Sequence, residues 1–309
     1  MKVIIRILIL IFSLNLFSQL ELKLEKNYGE KVVRCEPIWV KVILENKGKK
    51  RERIGLEGMA HLTRLKGFYM EVNGEKYIGP WYEYNIAYEL EVLGKDYLDY
   101  GEKIIEELDL RIMALKEGNY EIYAILNLFG KMYKSNKIEL DIEAPVGIDE
   151  EAYRYAEEEY NRLMGDYWNR ENKPYNIRFM GVCKYLTENP TFTLENFPIS
   201  TYAGWALKDY VYKTFDYDEE GRKNEKRKYR DLIETFVNAN NDFIFAGSLL
   251  SKAAFISLEL GEKNKACELF DKSLKLKWQV PTMNNKLKEE AIKRSKSAYE
   301  KLKKEGKCK

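Results

Sequence analysis

The residues best suited to recognise a ligand lie in the stretch GPWYEYN, where Trp81, Tyr82 and Tyr84 follow a Gly-Pro pair. Gly-Pro pairs mark turns, so the three rings are predicted to lie on a loop. Exposed aromatic rings stack on sugars or anchor a protein partner, whereas rings that face inward cover a core. We therefore take Trp81, Tyr82 and Tyr84 as candidate partner or glycan contacts, with inward packing as the alternative.

Motifs for catalysis are absent from the sequence. His61 is the only histidine, and no G-x-S-x-G elbow, P-loop or G-x-G-x-x-G fingerprint occurs. A Ser-His-Asp or Cys-His arrangement would have to use His61, which is more simply an ordinary strand or loop residue. We predict no catalytic residue, no cofactor and no enzymatic activity. A glycoside hydrolase remains an alternative, because a pair of Asp or Glu carboxylates is enough for that reaction.

Residues 216–227, DYDEEGRKNEKR, resemble the start of a calcium-binding loop. Asp216, Asp218, Glu220 and Gly221 have suitable positions. The twelfth position, where a bidentate Glu is expected, is Arg227. We predict no metal site here and instead a solvated loop or helix face.

Charge and the N-terminal residues restrict the partners. The 52 basic and 50 acidic side chains leave a net charge of +2, whereas nucleic-acid-binding proteins usually show a basic excess. In residues 1–18, Lys2 and Arg6 precede a short apolar run that ends near a small residue, Ser18, which is typical of a signal peptide. We predict a secreted or periplasmic protein that binds no nucleic acid and keeps no membrane span after cleavage. An uncleaved anchor is the alternative.

Residues 19–145 show the period of two that strands require. Leu20, Leu22 and Leu24 share one face, and similar alternation recurs in IWVKVILEN, NYEIYAILNL and NKIELDIEA. Asn73 and Gly74 separate two such runs and favour a tight hairpin, because both residues tolerate positive φ. Several short strands with one apolar face predict an antiparallel β-sandwich. The closing stretch LKEGNYEIYAILNLFGKMYKSNKIELDIEAP resembles the last two strands of bacterial immunoglobulin-like domains, which implies an immunoglobulin-like sandwich.

Residues 146–309 are predicted to form an all-α domain. Pro145 and Gly147 end the strand pattern, and Asp149 is placed to cap a helix with acidic residues in its first turn. A later helix is expected to begin after Ser200 as its cap. Its apolar stripe would consist of Ala203, Ala206, Leu207, Tyr210 and Val211.

The segment from residue 248 to residue 276 predicts a pair of neighbouring helices. Small or apolar residues fall where the two helices would touch, and a glycine serves the turn: Leu250, Ala254, Gly261, Ala266, Phe270 and Ser273. This spacing resembles a tetratricopeptide-repeat helix pair, and ENFPISTYAGWAL is similar to helix starts in envelope-associated members of that superfamily. The resemblance implies an α-solenoid-like domain whose helical surface binds a protein or peptide. No second unit follows at the expected period of about 34 residues.

The four cysteines are Cys35, Cys183, Cys267 and Cys308. They are too few and too scattered to predict a disulfide framework. Cys183 and Cys267 both fall in helical segments, so they are expected either to meet there or to be buried as small apolar residues.

The sequence thus favours an exported, non-enzymatic protein-binding or scaffold protein of the bacterial cell envelope. Its predicted parts are a signal peptide (1–18), an immunoglobulin-like β-sandwich (19–145) and a tetratricopeptide-like helical domain (146–309). The helical surface is the expected partner site. A carbohydrate-binding sandwich that uses the aromatic loop, and a carboxylate-based glycoside hydrolase, are the alternatives.

Overall fold

The structure, a computed structural model, describes residues 20–26, 31–55, 67–78, 96–171, 175–209, 219–279 and 285–308. The chain forms two compact units. The first comprises the chain up to Glu143 except Val33–Glu36, and the second comprises Val33–Glu36 together with Ala144–Lys309. The described part of the first unit is built from strands and that of the second from helices, so the protein is β plus α.

Eleven strands and one short 3-10 helix, Leu110–Met113, are described in the N-terminal half. The strands are β1 Leu20–Lys26, β2 Lys31–Val33, β3 Trp39–Asn46, β4 Glu52–Arg53, β5 Phe68–Val72, β6 Glu75–Tyr77, β7 Tyr97–Leu98, β8 Lys103–Asp109, β9 Gly118–Leu128, β10 Lys131–Lys134 and β11 Ile138–Glu143. Within this part of the chain, one sheet has the order β1-β3-β8 and a second has the order β2-β11-β9-β5-β6, with β10 also paired to β9. Strands β4 and β7 form a separate pair.

The alternation in the sequence accounts for the buried faces of the sheets. Leu22 lies opposite Leu44 and Leu24 lies opposite Val42 in the antiparallel β1–β3 pair, and all four side chains are buried. Residues two apart on a strand point to the same side, so every second position enters the core. The predicted Asn-Gly hairpin between β5 and β6 is confirmed, with positive φ at both turn residues.

A side-chain amide joins the two larger sheets. Asn136 is the middle one of three residues that connect β10 to β11. These three residues lie opposite only two residues of β9, so the connection contains one extra residue. Its Oδ1 accepts a hydrogen bond from the backbone N–H of Leu24 at 3.0 Å, and its Nδ2 donates to the Leu24 carbonyl at 2.9 Å. The amide therefore takes the place of a strand partner for one residue of β1.

Eight helices are described in the C-terminal half. They are α1 Ile148–Glu171, α2 Tyr175–Glu188, α3 Pro190–Asn196, α4 Thr201–Asp209, α5 Glu219–Ala239, α6 Ala246–Glu259, α7 Lys263–Ser273 and α8 Asn285–Lys304. Each packs mainly on its neighbours in the chain, beginning with α1 on α2 and ending with α7 on α8.

One of the two predicted helix caps is confirmed and the other is wrong. The Ser200 hydroxyl accepts a hydrogen bond from the N–H of Ala203 at 3.3 Å, as expected for the start of α4. Asp149 does not cap its own helix, because α1 already begins at Ile148. Its carboxylate instead accepts hydrogen bonds from the N–H and hydroxyl of Thr201, at 2.7 and 2.6 Å, and so caps α4. A carboxylate satisfies whichever exposed N–H groups the packing brings to it.

The predicted contact between α6 and α7 is confirmed by burial. Ala254, Ala266 and Phe270 are buried, and Gly261 makes the turn with φ +79°. The ring of Phe270 meets that of Phe255 edge-on, with centroids 5.0 Å apart. Of the stripe expected on α4, the three described residues are buried, while Tyr210 and Val211 lie outside the described residues.

The prediction for the cysteines is wrong. Cys35 is bonded to Cys183, and Cys267 to Cys308, which we call the C-terminal disulfide. Each bond joins a cysteine on a helix to one outside any helix: Cys183 lies on α2 and Cys267 on α7. Cys183 therefore meets the Val33–Glu36 segment, and Cys267 meets the turn that follows α8.

Candidate protein-binding face of the helical unit

The helical unit exposes a cluster of stacked aromatic rings on α1, α2 and α3. We call it the aromatic face and define it by Tyr155, Tyr160, Tyr185, Phe192 and Phe197. The ring of Tyr155 stacks on Phe192 with centroids 5.7 Å apart and meets Phe197 edge-on at 5.9 Å. Tyr185 contacts Phe192 at 4.7 Å and Tyr160 at 5.7 Å. The cluster is thus continuous across three helices.

The outer part of the aromatic face remains open to solvent. Tyr155 is 48% exposed although it stacks on two rings, and Leu163, two turns further along α1, is 53% exposed. Phe192, on which the Tyr155 ring stacks, is buried. An aromatic ring that is held in place yet half exposed can bind a partner at a small cost in side-chain entropy.

Local sequence fixes the rings that come from α3. Asn189 is the N-cap of this helix, and its side chain accepts a hydrogen bond from the N–H of Phe192 at 3.2 Å. Pro190 occupies the first turn, where its missing N–H costs nothing. Thr193 donates its hydroxyl to the Leu186 carbonyl at 2.5 Å and so ties α3 to α2. These bonds set the position of the Phe192 ring.

A glycine lets α1 and α2 approach at the aromatic face. A Cβ atom at Gly181 would overlap the hydroxyl end of the Tyr160 side chain. The missing side chain therefore makes the space in which Tyr160 lies against α2. Burial also raises the pKa of the neighbouring Tyr185 above the ordinary value of a tyrosine.

Acidic residues border the aromatic face along α1. Glu150, Glu151, Glu157 and Glu158 are exposed, and within the described part of the chain they form no ion pair. Glu159 differs, because Arg162 pairs with it at 2.6 Å and the resulting hydrogen bond lowers the pKa of its carboxyl. The face therefore combines apolar rings with a negative border, which suits a partner that presents apolar and basic side chains.

The Val33–Glu36 segment supports the helices behind this face. Its Cys35 is bonded to Cys183 of α2, and the Arg34 carbonyl accepts a hydrogen bond from the Tyr202 hydroxyl at 2.8 Å. The Glu36 carboxylate accepts one from the Trp205 indole N–H at 3.0 Å. Because α2 and α4 both bind this short segment, their relative position is held by a covalent bond and by two part-buried hydrogen bonds.

A second open surface lies on the β unit, between β1 and β10. This groove of about 650 Å³ is lined by residues of both strands, including Leu22, Met132 and Tyr133. In the described chain β1 pairs only with β3 and β10 only with β9, so each has an edge without a strand partner, although the Asn136 amide occupies the edge of β1 at Leu24. Its only aromatic ring, Tyr133, is buried, so the helical face is the better developed contact surface.

The candidate residues selected from the sequence are not part of the aromatic face as the structure describes it. Trp81, Tyr82 and Tyr84, and also His61, lie outside the described residues, so the aromatic loop stays a prediction. The six residues of the helix-pair pattern form the contact between α6 and α7 and the turn that joins these two helices, rather than a surface for a partner.

The incomplete calcium loop is partly helical. Glu220, Gly221 and Arg227 belong to α5, and Arg227 pairs with Glu220 at 3.3 Å, whereas Asp216 and Asp218 lie outside the described residues. Among the residues that the structure describes, no group of His, Cys, Asp or Glu is arranged to hold a metal ion. None of the described helices is both long and apolar enough to cross a bilayer.

Comparison with known protein families and with curated proteins finds no match to this chain. Geometry alone therefore characterises the site: an aromatic cluster with one exposed ring, Tyr155, and an acidic border, on a helical unit that contains disulfides.

Proposed function

We propose that the chain is an exported, non-enzymatic protein-binding or scaffold protein of the bacterial cell envelope, with the aromatic face as its partner site. The observation that carries the proposal is the half-exposed Tyr155 ring, held by Phe192 and Phe197, on the helix that also exposes Leu163 two turns further along. Large rings in fixed positions contribute most of the binding energy in protein interfaces. The acidic border of α1 favours a partner with basic residues around an apolar segment.

Two further features support export. All four cysteines of the chain are bonded in pairs, and stable disulfides form in oxidising compartments such as the periplasm or the exterior. Residues 1–18 have the pattern of a signal peptide.

The proposal also includes the finer fold. We assign residues 19–145 to an immunoglobulin-like sandwich on the basis of two antiparallel sheets with buried inner faces, and residues 146–309 to a tetratricopeptide-like array. The α6–α7 pair supports the second assignment, because small residues meet at its contact and a glycine makes its turn.

A pull-down with paired variants tests the partner site. The oxidised full chain, as wild type and as the double variant Tyr155→Ala/Leu163→Ala, serves as bait in a cell-envelope extract. We expect a specific protein to be retained by the wild type and lost from the double variant, because truncation removes the two exposed anchors. Tyr100→Ala is the matched control, since Tyr100 is an exposed tyrosine of the β unit. A partner retained equally by all three baits, or no specific partner at all, would contradict the proposal.

A further inference from the structure

The first and last helices of the helical unit carry opposite charge. α1 contains eight acidic and three basic residues, which gives −5. α8 contains eight basic and three acidic residues, which gives +5. The whole chain has a net charge of only +2. The protein therefore has little net charge, but its charges are separated: the first helix of the unit is negative and the last helix is positive.

Several basic side chains of α8 have no acidic partner within the described part of the protein. Four of its lysines are exposed and form no ion pair with any described residue: Lys293, Lys296, Lys301 and Lys304. The lysines of the preceding helix behave differently. On α7, Lys272 pairs with Glu268 at 2.8 Å, and Lys265 pairs with Glu234 at 2.6 Å. Internal pairing is thus the rule on α7 and is missing along much of α8.

The acidic side chains on the outer face of α1 are open in the same way. Glu151, Glu157 and Glu158 are exposed and, in the part of the chain that the structure describes, have no basic partner. Glu151 and Glu158 lie one turn before and one turn after Tyr155 and belong to the acidic border of the aromatic face, whereas the Tyr155 ring itself contacts Phe192 and Phe197. The proposed association and the proposed partner site therefore share acidic residues of α1, and only a substitution of the Tyr155 ring changes the partner site alone.

We propose that these faces bind each other in a head-to-tail association, with α8 of one copy of the chain on α1 of the next. The helices have 20 and 24 residues, or lengths of about 30 and 36 Å, so the two helices can run side by side along most of their length. Repulsion between like charges disfavours α1 on α1 and α8 on α8. A head-to-tail contact of this kind is heterologous and produces open chains or rings of copies.

This association goes beyond the proposed function and does not depend on it. If both hold, the assembly carries one aromatic face on each copy, and a partner with several binding segments gains affinity from the repetition.

Sedimentation at two salt concentrations tests the association. We expect the weight-average mass of the oxidised full chain to rise with protein concentration at about 20 mM salt. At about 0.5 M salt the mass should return to that of the monomer, because exposed charges are screened over a few ångströms. The variant Lys293→Glu/Lys296→Glu/Lys304→Glu should be monomeric at both concentrations, and so should Glu151→Lys/Glu157→Lys/Glu158→Lys. A mixture of the two variants should associate again, since their faces have exchanged signs.

Reversal of internally paired lysines provides the control. Lys223→Glu/Lys272→Glu/Lys275→Glu changes the net charge by the same amount, but each of these lysines already has an acidic partner four residues away. This variant should still associate at low salt. Wild-type protein that stays monomeric at low salt would overturn the proposal. Wild-type protein that stays monomeric yet sediments with vesicles of anionic phospholipid would overturn it in favour of a membrane surface. Loss of association in the control as strongly as in the α8 variant would show a general charge effect and would also overturn it.

Discussion

Gly204 of α4 allows a direct test of how the helical core is packed. A Cβ atom at this position would lie 2.6 Å from the ring of Phe243 and would also overlap the ring of Phe236. Both rings are buried and meet each other edge-on with centroids 5.1 Å apart, so neither can move away easily. Gly204→Ala is therefore expected to destabilise the protein through overpacking, by about 1–3 kcal/mol.

The opposing effect can be measured on another helix. Alanine is favoured over glycine in a helix interior by roughly 1 kcal/mol. Gly165 lies inside α1, and a Cβ atom there would meet no atom within 4 Å, so Gly165→Ala should stabilise by about 0.5–1 kcal/mol. The difference between the two variants gives the overpacking cost without the contribution of helix propensity.

Urea unfolding of the oxidised full chain, followed by circular dichroism at a helical wavelength, supplies the comparison. We expect a lower midpoint for Gly204→Ala and a higher one for Gly165→Ala, relative to the wild type. Equal shifts in the same direction would refute the packing described for α4 and α5.

Three further predictions concern the last helices. Phe270→Ala should cost about 3–5 kcal/mol in urea unfolding, because a fully buried ring is lost; a cost below about 1 kcal/mol would contradict the α6–α7 contact. Replacement of Cys267 and Cys308 by alanine should lower the free energy of unfolding by about 4 kcal/mol on chain-entropy grounds, because the C-terminal disulfide spans 41 residues. Amide exchange should become faster in α8 first, and unchanged exchange in α8 would contradict this prediction. The pKa of Asp271 is lowered by hydrogen bonds from Lys275 and from the Tyr299 hydroxyl of α8. This stabilisation is present above about pH 4 and is lost as the pH falls through the lowered pKa, so acid should increase exchange in α8 of the wild type more than in Asp271→Asn.

Features that depend on neighbours in sequence could be predicted. The Asn-Gly hairpin, the Ser200 cap and the α6–α7 pair each follow from turn chemistry or periodicity within a few turns of chain. The separation into a β-rich and a helical half follows from the change of period near Pro145 in the same way.

Features that depend on packing between distant residues could not. Cys35 and Cys183 are 148 residues apart, and no pattern in the chain indicates that they meet. Asp149 caps a helix that begins 52 residues later, because the packing of α1 brings its carboxylate to Thr201. Propensity describes a residue within its own segment, whereas these bonds are set by the arrangement of several helices.

The aromatic face was missed for the same reason. Tyr155 lies far from Phe192 and Phe197 in sequence, and only the packing of α1 on α2 and α3 brings the rings together. The local signal was the Asn-Pro pair before Phe192, which predicts a helix start and so fixes the direction of that ring. The abundance of tyrosine, 23 residues in the chain, concealed which rings are exposed.

Photo-crosslinking from position 155 tests the central claim most directly. A benzophenone amino acid replaces Tyr155 in one variant and Tyr100 in another, and both are irradiated in intact cells that export the protein. We predict that position 155 yields a discrete adduct with another protein and that position 100 does not, because only the former lies on the aromatic face. Equal labelling from the two positions, or no protein adduct from position 155, would contradict the account.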